Sequence, residues 1–331
     1  MMLDIVSNSN SIAIFRALQL GDMMCAIPAL RSLRKAKPDA RITWIGLPGS
    51  ESIAKRYSNY INDFLPFPGY PGLPEQNFDQ EKYDLFLSDI RSRSFDLILQ
   101  MQGNGTIVND LMKTFGSTAI AGFSPFTTNV QSTREHWIHY PNIGHEVERH
   151  LQLIQSLGIE NFGLDLEFPL DTTDYNDFEK LKLNIEPGKY ICIHPGSRGI
   201  WRQWPPLYFA ALGDYCLKMG YKIVLTGTKE ELKIVENVAD LIKGTCVIAA
   251  GRTSLGAAGV LIKQSFALIS NCTGVSHMAA AFRTQSIVIS MDGEPERWAP
   301  LDRELHRTID WVKTPDYNIV FKELASLFFR L

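Results

Sequence analysis

Five short stretches hold residue types that bind an anion or move a proton. Gly21-Asp22 stands between an apolar run, Ile12 to Phe15, and a helical pattern carrying Ile27, Leu30 and Leu33. A carboxylate placed there has two readings. It can cap the helix, as aspartates before helices commonly do; or, kept ionised by the helix dipole, it can take a proton from an attacking hydroxyl. The stretch Tyr190 to Pro206, YICIHPGSRGIWRQWPP, runs from apolar residues into a small-residue loop with Ser197, Arg198 and Arg202, and reopens as a helix at Trp204-Pro205-Pro206. Free backbone N–H groups, a helix start and guanidinium forks suit an anion, while solvated arginines on an ordinary turn are the plainer alternative.

Asn271 to His277, NCTGVSH, repeats the arrangement. Thr273 offers a hydroxyl, Gly274 a closely approaching N–H, and His277, one turn in, a ring donor; a plain helix cap with a core histidine is the competing reading. Thr226 to Glu231, TGTKEE, places Gly227, Glu230 and Glu231 just past another apolar run, where a carboxylate commonly accepts from ribose hydroxyls. First-turn glutamates are also favoured by the dipole, and the sequence does not choose between the two. Gly251 to Leu255, GRTSL, which includes Thr253, is a further loop suited to holding a base through backbone contacts.

The elements that must position these residues alternate regularly. Apolar β-type runs and amphipathic helical stretches follow one another as Ser11 to Ala17 and Met23 to Ala36; Arg41 to Gly46 and Ser50 to Ser58; Asp96 to Gln100 and Thr106 to Phe115; a short run Ala119 to Gly122; and a helical run Gly144 to Leu157. Phe64 to Asp79, rich in Pro, Gly and aromatics, reads as a long loop without a regular element, and Phe123 to Pro141 as similarly irregular. After Phe168 to Pro187, with one short helical stretch, strands are expected at Tyr190 to His194, Tyr221 to Leu225, Cys246 to Ala249, Phe266 to Ser270 and Ser286 to Ser290. Helices are expected from Pro206, Glu230, Ser254 and Val275, with a last amphipathic run from Tyr317 to Leu331. Repeated βα units imply mostly parallel sheets covered on both faces. The expected α/β architecture is therefore two doubly wound, Rossmann-like domains facing across a cleft, with ligands outside the carboxyl ends of the strands.

At 331 residues the chain is too long for one typical core. With 45% hydrophobic and 21% charged residues it is globular, and a net charge of −3 gives no reason to expect nucleic acid as a partner. No apolar run reaches the roughly 18 residues that span a bilayer, and MMLDIVSNSNS lacks the basic start and apolar core of a secretory signal. The expected setting is the cytoplasm. Cys25, Cys192, Cys216, Cys246 and Cys272 lie far apart, mostly in apolar runs, which suits reduced core thiols and no structural metal. Arg31, Arg34, Lys35, Lys37 and Arg41 form the densest basic run of the first half, and read either as a solvated helix face or as contacts to acceptor phosphates or the inner face of the membrane.

Taken in order, IFRALQLGDMMCAIPALRSLRKAKPDARI, IHPGSRGIWRQWPPLYFAAL, LTGTKEEL, ISNCTGVSHMAAA and GEPERWAP resemble the glycosyltransferase family 9 heptosyltransferases from about Ile12 to Pro300, and GHEVERHLQLIQSLGI resembles the family's helix closing its first domain. The resemblance implies the GT-B fold and an inverting, metal-independent transfer that needs no cofactor, from a nucleotide-sugar donor such as ADP-heptose to a saccharide or glycolipid acceptor such as lipopolysaccharide core. Residues 1–170 are then the expected acceptor domain and 171–312 the donor domain; the amphipathic run within 313–331 is expected to pack back across the domain boundary, and the chain to be a monomer. Asp22 matches the family's base, with Gly21 beside it on the acceptor side. Arg202 falls where the family usually has a lysine on the donor diphosphate, and a guanidinium serves there as well. Ser197 falls in the phosphate loop; Thr273, Gly274 and His277 match the donor-binding Asp-Thr-Gly-x-x-His; Glu230 or Glu231 lies near the ribose position, and Thr253 near the adenine.

Cys272 departs from the pattern, standing where the family has an aspartate on the donor sugar. A thiol there lacks the charge and the strong acceptor. That departure keeps two alternatives in view: a nucleotide-sugar-binding protein without transferase activity, and a GT-B enzyme using another nucleotide-sugar or reaction, such as epimerisation.

Overall fold

The computed structural model describes residues 2–126 and 130–329. The chain divides into two units, Met1–Leu164 and Asp165–Leu331. The first holds strands β1 Ser11–Phe15, β2 Arg41–Gly46, β3 Asp63–Pro66, β4 Leu97–Gln100, β5 Ala119–Ser124, β6 Val130–Gln131 and β7 Glu135–His139. They lie in the order β3-β2-β1-β4-β5-β7-β6. Every pairing is parallel except that of β6 with β7. Ile12, Ala13, Ile14 and Phe15 of β1 are all buried, on both faces of the sheet, because helices cover both sides. Those helices are α1 Asp4–Ser7, α2 Leu20–Ala36, α3 Glu51–Arg56, α4 Gln80–Ser92, α5 Val108–Lys113 and α6 Glu146–Ser156.

Two stretches expected to be irregular contain strands. Phe64, Leu65 and Pro66 belong to β3, an edge strand paired with β2, where the N–H that proline lacks is least missed. The loop after it is anchored by aromatic rings: Phe67 meets Phe15 and Phe86, and Tyr70 and Phe78 meet Tyr83 of α4. Within Phe123 to Pro141, residues 127–129 lie outside the described residues, and Glu135–His139 pairs with β5 with Trp137 buried.

The second unit holds α7 Thr172–Lys180, β8 Tyr190–His194, α8 Pro206–Lys218, β9 Lys222–Leu225, α9 Leu232–Leu241, β10 Cys246–Ile248, α10 Leu255–Gln264, β11 Ala267–Asn271, α11 Gly274–Phe282, β12 Ser286–Ser290, α12 Pro295–Trp298, β13 His306–Asp310 and α13 Tyr317–Phe328. Its sheet, β10-β9-β8-β11-β12-β13, is parallel throughout and one strand wider than expected. The closing helix, expected to lie across the boundary, buries Val320, Leu324 and Leu327 in this unit's own core beside α8, β12 and β13. Residues 330 and 331, at the end of the expected helical run, lie outside the described residues. Trp204 is fully buried among Tyr208, Phe209, Trp311 and Tyr317.

Each sheet has one place where strand order reverses: β1 beside β4 in the first unit, β8 beside β11 in the second. Loops leaving the two strands of such a pair diverge to opposite faces and leave a crevice at the strand ends, the usual ligand position in open α/β sheets.

Candidate active site

At the second unit's reversal, β8 runs into His194 to Ser197 and β11 into Asn271 to Gly274. Asn271, fully buried, ties the two together: its Oδ1 accepts from Trp204 N–H at 2.9 Å, and its Nδ2 donates to the carbonyls of Pro195 at 2.8 Å and Gly196 at 3.1 Å. Gln203 Nε2 donates to Ser197 O at 2.9 Å. The loop around Ser197, itself buried, is thereby fixed before any ligand arrives. Helix α11 starts at Gly274 with Thr273 at its N-cap, and no side chain caps it. Of the unit's other helices, α7, α10 and α13 are capped by Asp171, Ser254 and Asp316, whereas α8, α9 and α12 have no side-chain cap. A helix start left for backbone N–H groups to meet an anion is what a phosphate needs. His277 is buried one turn further on.

Arg202 leaves the same loop in a short 3-10 turn, Ile200–Arg202. Its Nη2 pairs with Asp292 Oδ2 at 2.6 Å, the guanidinium being 34% exposed and the carboxylate 5%. Its plane lies 5.0 Å from the Trp201 ring, whereas Arg198 is exposed. Asp292 follows β12 and is held by Ser290 Oγ at 2.8 Å and the N–H of Glu294 at 3.2 Å. Cys272 lies within the electrostatic reach of this pair: burial first, then the Asp292 charge, push its thiol up to about 12, against the smaller opposing influence of Arg202 and Arg303. A neutral thiol therefore stands at position 272, and the carboxylate of this neighbourhood comes from β12.

Glu231 and Glu230 part company in the structure. Glu231 Oε2 accepts from Thr228 N–H at 2.8 Å and lies 3.7 Å from His194 Nε2. A Cβ on Gly196 would come within 2.2 Å of the Glu231 carboxyl carbon, so the glycine is what lets this side chain lie over the loop that follows β8. Burial lowers the pKa of His194 and keeps its ring neutral; Nδ1 meets Thr226 Oγ1 at 3.1 Å. Glu230 is exposed. Gly227 accepts from Gly251 N–H at 3.0 Å, tying the β9 loop to the β10 loop that holds Thr253. Strand β10 is two positions from β8, about 10 Å away at normal strand spacing.

In the first unit Asp22 sits at the reversal between β1 and β4. It occupies the third position of α2 in a capping box with Gln19, whose N–H donates to Oδ2 at 3.2 Å. The helix begins at Leu20, earlier than expected, so Asp22 caps the helix from within. Its other oxygen, Oδ1, lies 3.5 Å from Arg16 Nη2. Arg16 is fully buried: Nε donates to Asp22 O at 2.7 Å, Nη1 to Met101 O, and Nη2 also meets Glu146 Oε1 at 3.0 Å. Gln102 Oε1 accepts from Ala17 N–H, and Gln100 Nε2 donates to Gln102 O, both at 2.7 Å. Gly21 lies beside Asp22 in the first turn.

The basic residues expected on the acceptor lie elsewhere on α2. Arg31 and Lys35 follow Asp22 by nine and thirteen residues, roughly 13 and 20 Å along the helix. Arg34 donates to the carbonyls of Pro38, Ala40 and Tyr60 and to Asn62 Oδ1. Arg31 reaches Gly163 O, and Lys35 lies 4.2 Å over the Phe162 ring. These contacts hold the chain together at the far end of the helix.

Arg16, Glu146, Asn271 and Asp292 are the site residues that the sequence reading misses. Two of them carry a local signal: Arg16 is a lone charge in an otherwise apolar run, IAIFRAL, and Asn271 closes the apolar run FALIS. Among the described residues no group of three or more His, Cys, Asp or Glu side chains is placed to hold a metal ion.

Two doubly wound units with strand-end sites of this kind make the GT-B glycosyltransferase fold. A glycosyltransferase family 9 structure from Veillonella parvula superimposes with a TM-score of 0.79 at 17% identity, covering 97% of this chain and 98% of its own. The ADP-heptose lipopolysaccharide heptosyltransferase II of E. coli gives 0.74 at 19% identity, covering 97% and 99%. In sequence, lipopolysaccharide heptosyltransferase 3 of Escherichia coli K12 is 25% identical over 296 residues, 85% of this chain and 82% of that one. Residues 86–316 match glycosyltransferase family 9 (heptosyltransferase), and the chain belongs to that family of glycosyltransferases.

Proposed function

We propose that the protein transfers a heptose from ADP-heptose to a hydroxyl of a saccharide acceptor such as lipopolysaccharide core, with inversion and without a metal. The observation that carries this reading is the set of loops at the second unit's strand ends. Glu231 after β9, Arg202 after β8 and the uncapped start of α11 after β11 lie on three adjacent strands. Ribose, diphosphate and leaving-group charge call for a carboxylate, a guanidinium and backbone donors in that kind of succession. Membership of the family, and the lipopolysaccharide and ADP-heptose named for its relatives, support the choice of sugar and acceptor class.

In this mechanism Asp22 takes the proton of the acceptor hydroxyl, whose oxygen attacks the anomeric carbon as the bond to the diphosphate breaks, and ADP departs with that electron pair. Arg202, Thr273, Gly274 and His277 stabilise the charge that develops on the diphosphate. Arg202 turns from Asp292 toward the phosphates as the donor enters. Glu231 meets the ribose in preference to Glu230, and Thr253 lies by the adenine. Acceptor contacts centre on Gly21 and Asp22, with the basic far end of α2 left to its structural bonds.

Asp22→Asn is the direct test. Transfer from ADP-heptose to heptose-deficient lipopolysaccharide is expected to fall by about 10²- to 10⁴-fold with ADP affinity unchanged, and undiminished transfer would remove Asp22 from the mechanism. A second reading, favoured by the neutral thiol at Cys272, is transfer of a different sugar. A thermal-shift screen of nucleotide-sugars separates the two: stabilisation by another nucleotide-sugar but not by ADP-heptose supports the second.

A further inference from the structure

Inside the first unit lies a charge cluster whose parts come from four separate segments. Arg16 follows β1, Asp22 belongs to α2, Met101 and Gln102 follow β4, and Glu146, Arg149 and His150 lie on α6. One nitrogen, Arg16 Nη2, meets two carboxylates, Asp22 Oδ1 at 3.5 Å and Glu146 Oε1 at 3.0 Å. Glu146 is shared in turn: Oε2 meets Arg149 Nη1 at 2.9 Å, and Oε1 lies 3.5 Å from His150 Nε2. Arg16, Glu146, Arg149 and His150 are all buried, while the Asp22 carboxylate alone is partly exposed, at 22%. Burial holds the His150 ring neutral, with its pKa lowered to about 4. The described ion pairs of the cluster thus join two guanidinium groups to two carboxylates.

Burying a guanidinium completely is costly, and a helix start needs no such group. Capping of α2 is already supplied by Gln19 and Asp22. We infer that Arg16 and Glu146 act as a positioning pair for Asp22: Arg16 orients the carboxylate and holds it ionised, and Glu146 divides the Arg16 charge so that the carboxylate remains basic enough to accept a proton. The inference rests on the reading of Asp22 as the base.

The physical argument has two halves. With Arg16 alone beside it, a carboxylate is stabilised in its charged form and becomes a poorer base. With Glu146 alone it faces a like charge and takes up a proton too readily. Sharing one guanidinium between the two offsets both tendencies. The fork geometry matters as much as the charge: Nε holds the Asp22 carbonyl and Nη1 the Met101 carbonyl, so the third nitrogen is aimed by the other two. A lysine in this place would keep the charge and lose the aim.

The test reads Asp22 directly. In the full-length chain labelled with ¹³C at aspartate carboxyls, the Asp22 signal is identified by its loss in Asp22→Asn and titrated in the wild type, Arg16→Gln, Glu146→Gln and the double variant. Arg149 remains on Glu146 when Arg16 is neutralised, so the loss falls on Asp22. Its midpoint is expected to rise by more than about 1 pH unit in Arg16→Gln and to fall back when Glu146→Gln is added. Transfer by Arg16→Gln at neutral pH should drop about 10-fold or more in kcat, with KM for ADP-heptose within about twofold. A midpoint in Arg16→Gln equal to the wild type, or a double variant no lower than the single one, overturns the inference. If Arg16→Gln does not fold, Arg16→Lys takes its place: a midpoint above the wild type supports the pairing and an unchanged one overturns it. Failure of the underlying reading looks different, since Asp22→Asn would then retain transfer whatever the titrations show.

Discussion

The Arg202 guanidinium pairs with Asp292 and is a third exposed where the carboxylate is almost buried. Such a pair can open on the arginine side at little cost, because the ligand that draws Arg202 away replaces one charge-assisted hydrogen bond with another. Arg202→Met is therefore expected to weaken ADP binding by about 10- to 100-fold, in line with roughly 1.5–3 kcal/mol for a hydrogen bond to a charged group, with calorimetric titration as the measurement. An affinity within twofold of the wild type would exclude Arg202 from the diphosphate. Part of this site is legible in the sequence, because Arg202, Thr273, Gly274 and His277 stand in short strand-loop-helix stretches whose chemistry is local. Asp292 and Glu146 are not legible in that way: each acquires its meaning from a partner 90 or 130 residues distant, and no local spacing encodes that pairing.

At the level of elements, helix starts sort into two kinds. Asp316 caps α13 by accepting from Asn318 N–H at 2.8 Å, whereas Thr273 makes no side-chain cap for α11. Asp316→Ala is expected to cost about 1 kcal/mol of stability and leave ADP affinity as it is. Thr273→Ala should do the reverse, with calorimetry and thermal unfolding read on both. If Thr273→Ala lowers stability as much as Asp316→Ala and leaves ADP affinity unchanged, the start of α11 is an ordinary cap. Buried strands such as Tyr190–His194 and Ser286–Ser290 are plain in the sequence because both faces are covered and the centre of the run is continuously apolar. Strands at or near sheet edges are harder to read. Asp63–Pro66 ends in proline, and Glu135–His139 and His306–Asp310 mix charged and apolar residues, since an edge position leaves part of the strand to solvent and removes the apolar signature. Helix α4, to which the sequence reading assigns no element, buries Tyr83, Phe86 and Ile90 against aromatic residues from a preceding loop, a packing partner that is itself irregular.

For the whole molecule, acid is the expected weak point. His150 in the first unit and His306 in the second are both held near 4 by burial, against about 6.5 in an unfolded chain. Between those values the unfolded chain binds protons that the folded one refuses, so stability is full above pH 6.5 and is lost as the pH falls toward 4, by about 3 kcal/mol for each histidine at the low end. Thermal unfolding from pH 7.5 to 4.5 should show a declining midpoint, with a shallower slope in His150→Gln and in His306→Gln. Equal slopes in all three proteins would mean that other groups set the acid limit. The pairing of Arg16 with Glu146 has a consequence for how the molecule is made. Its two halves are 130 residues apart, at the beginning and near the end of the first unit. A nascent chain that has emerged only as far as β7 already carries Asp22 and Arg16 but still lacks Glu146, the second carboxylate on the Arg16 guanidinium. The surroundings of Asp22 are therefore complete only once α6, at the end of the first unit, has been made, and partial chains that stop before it carry Asp22 and Arg16 without Glu146.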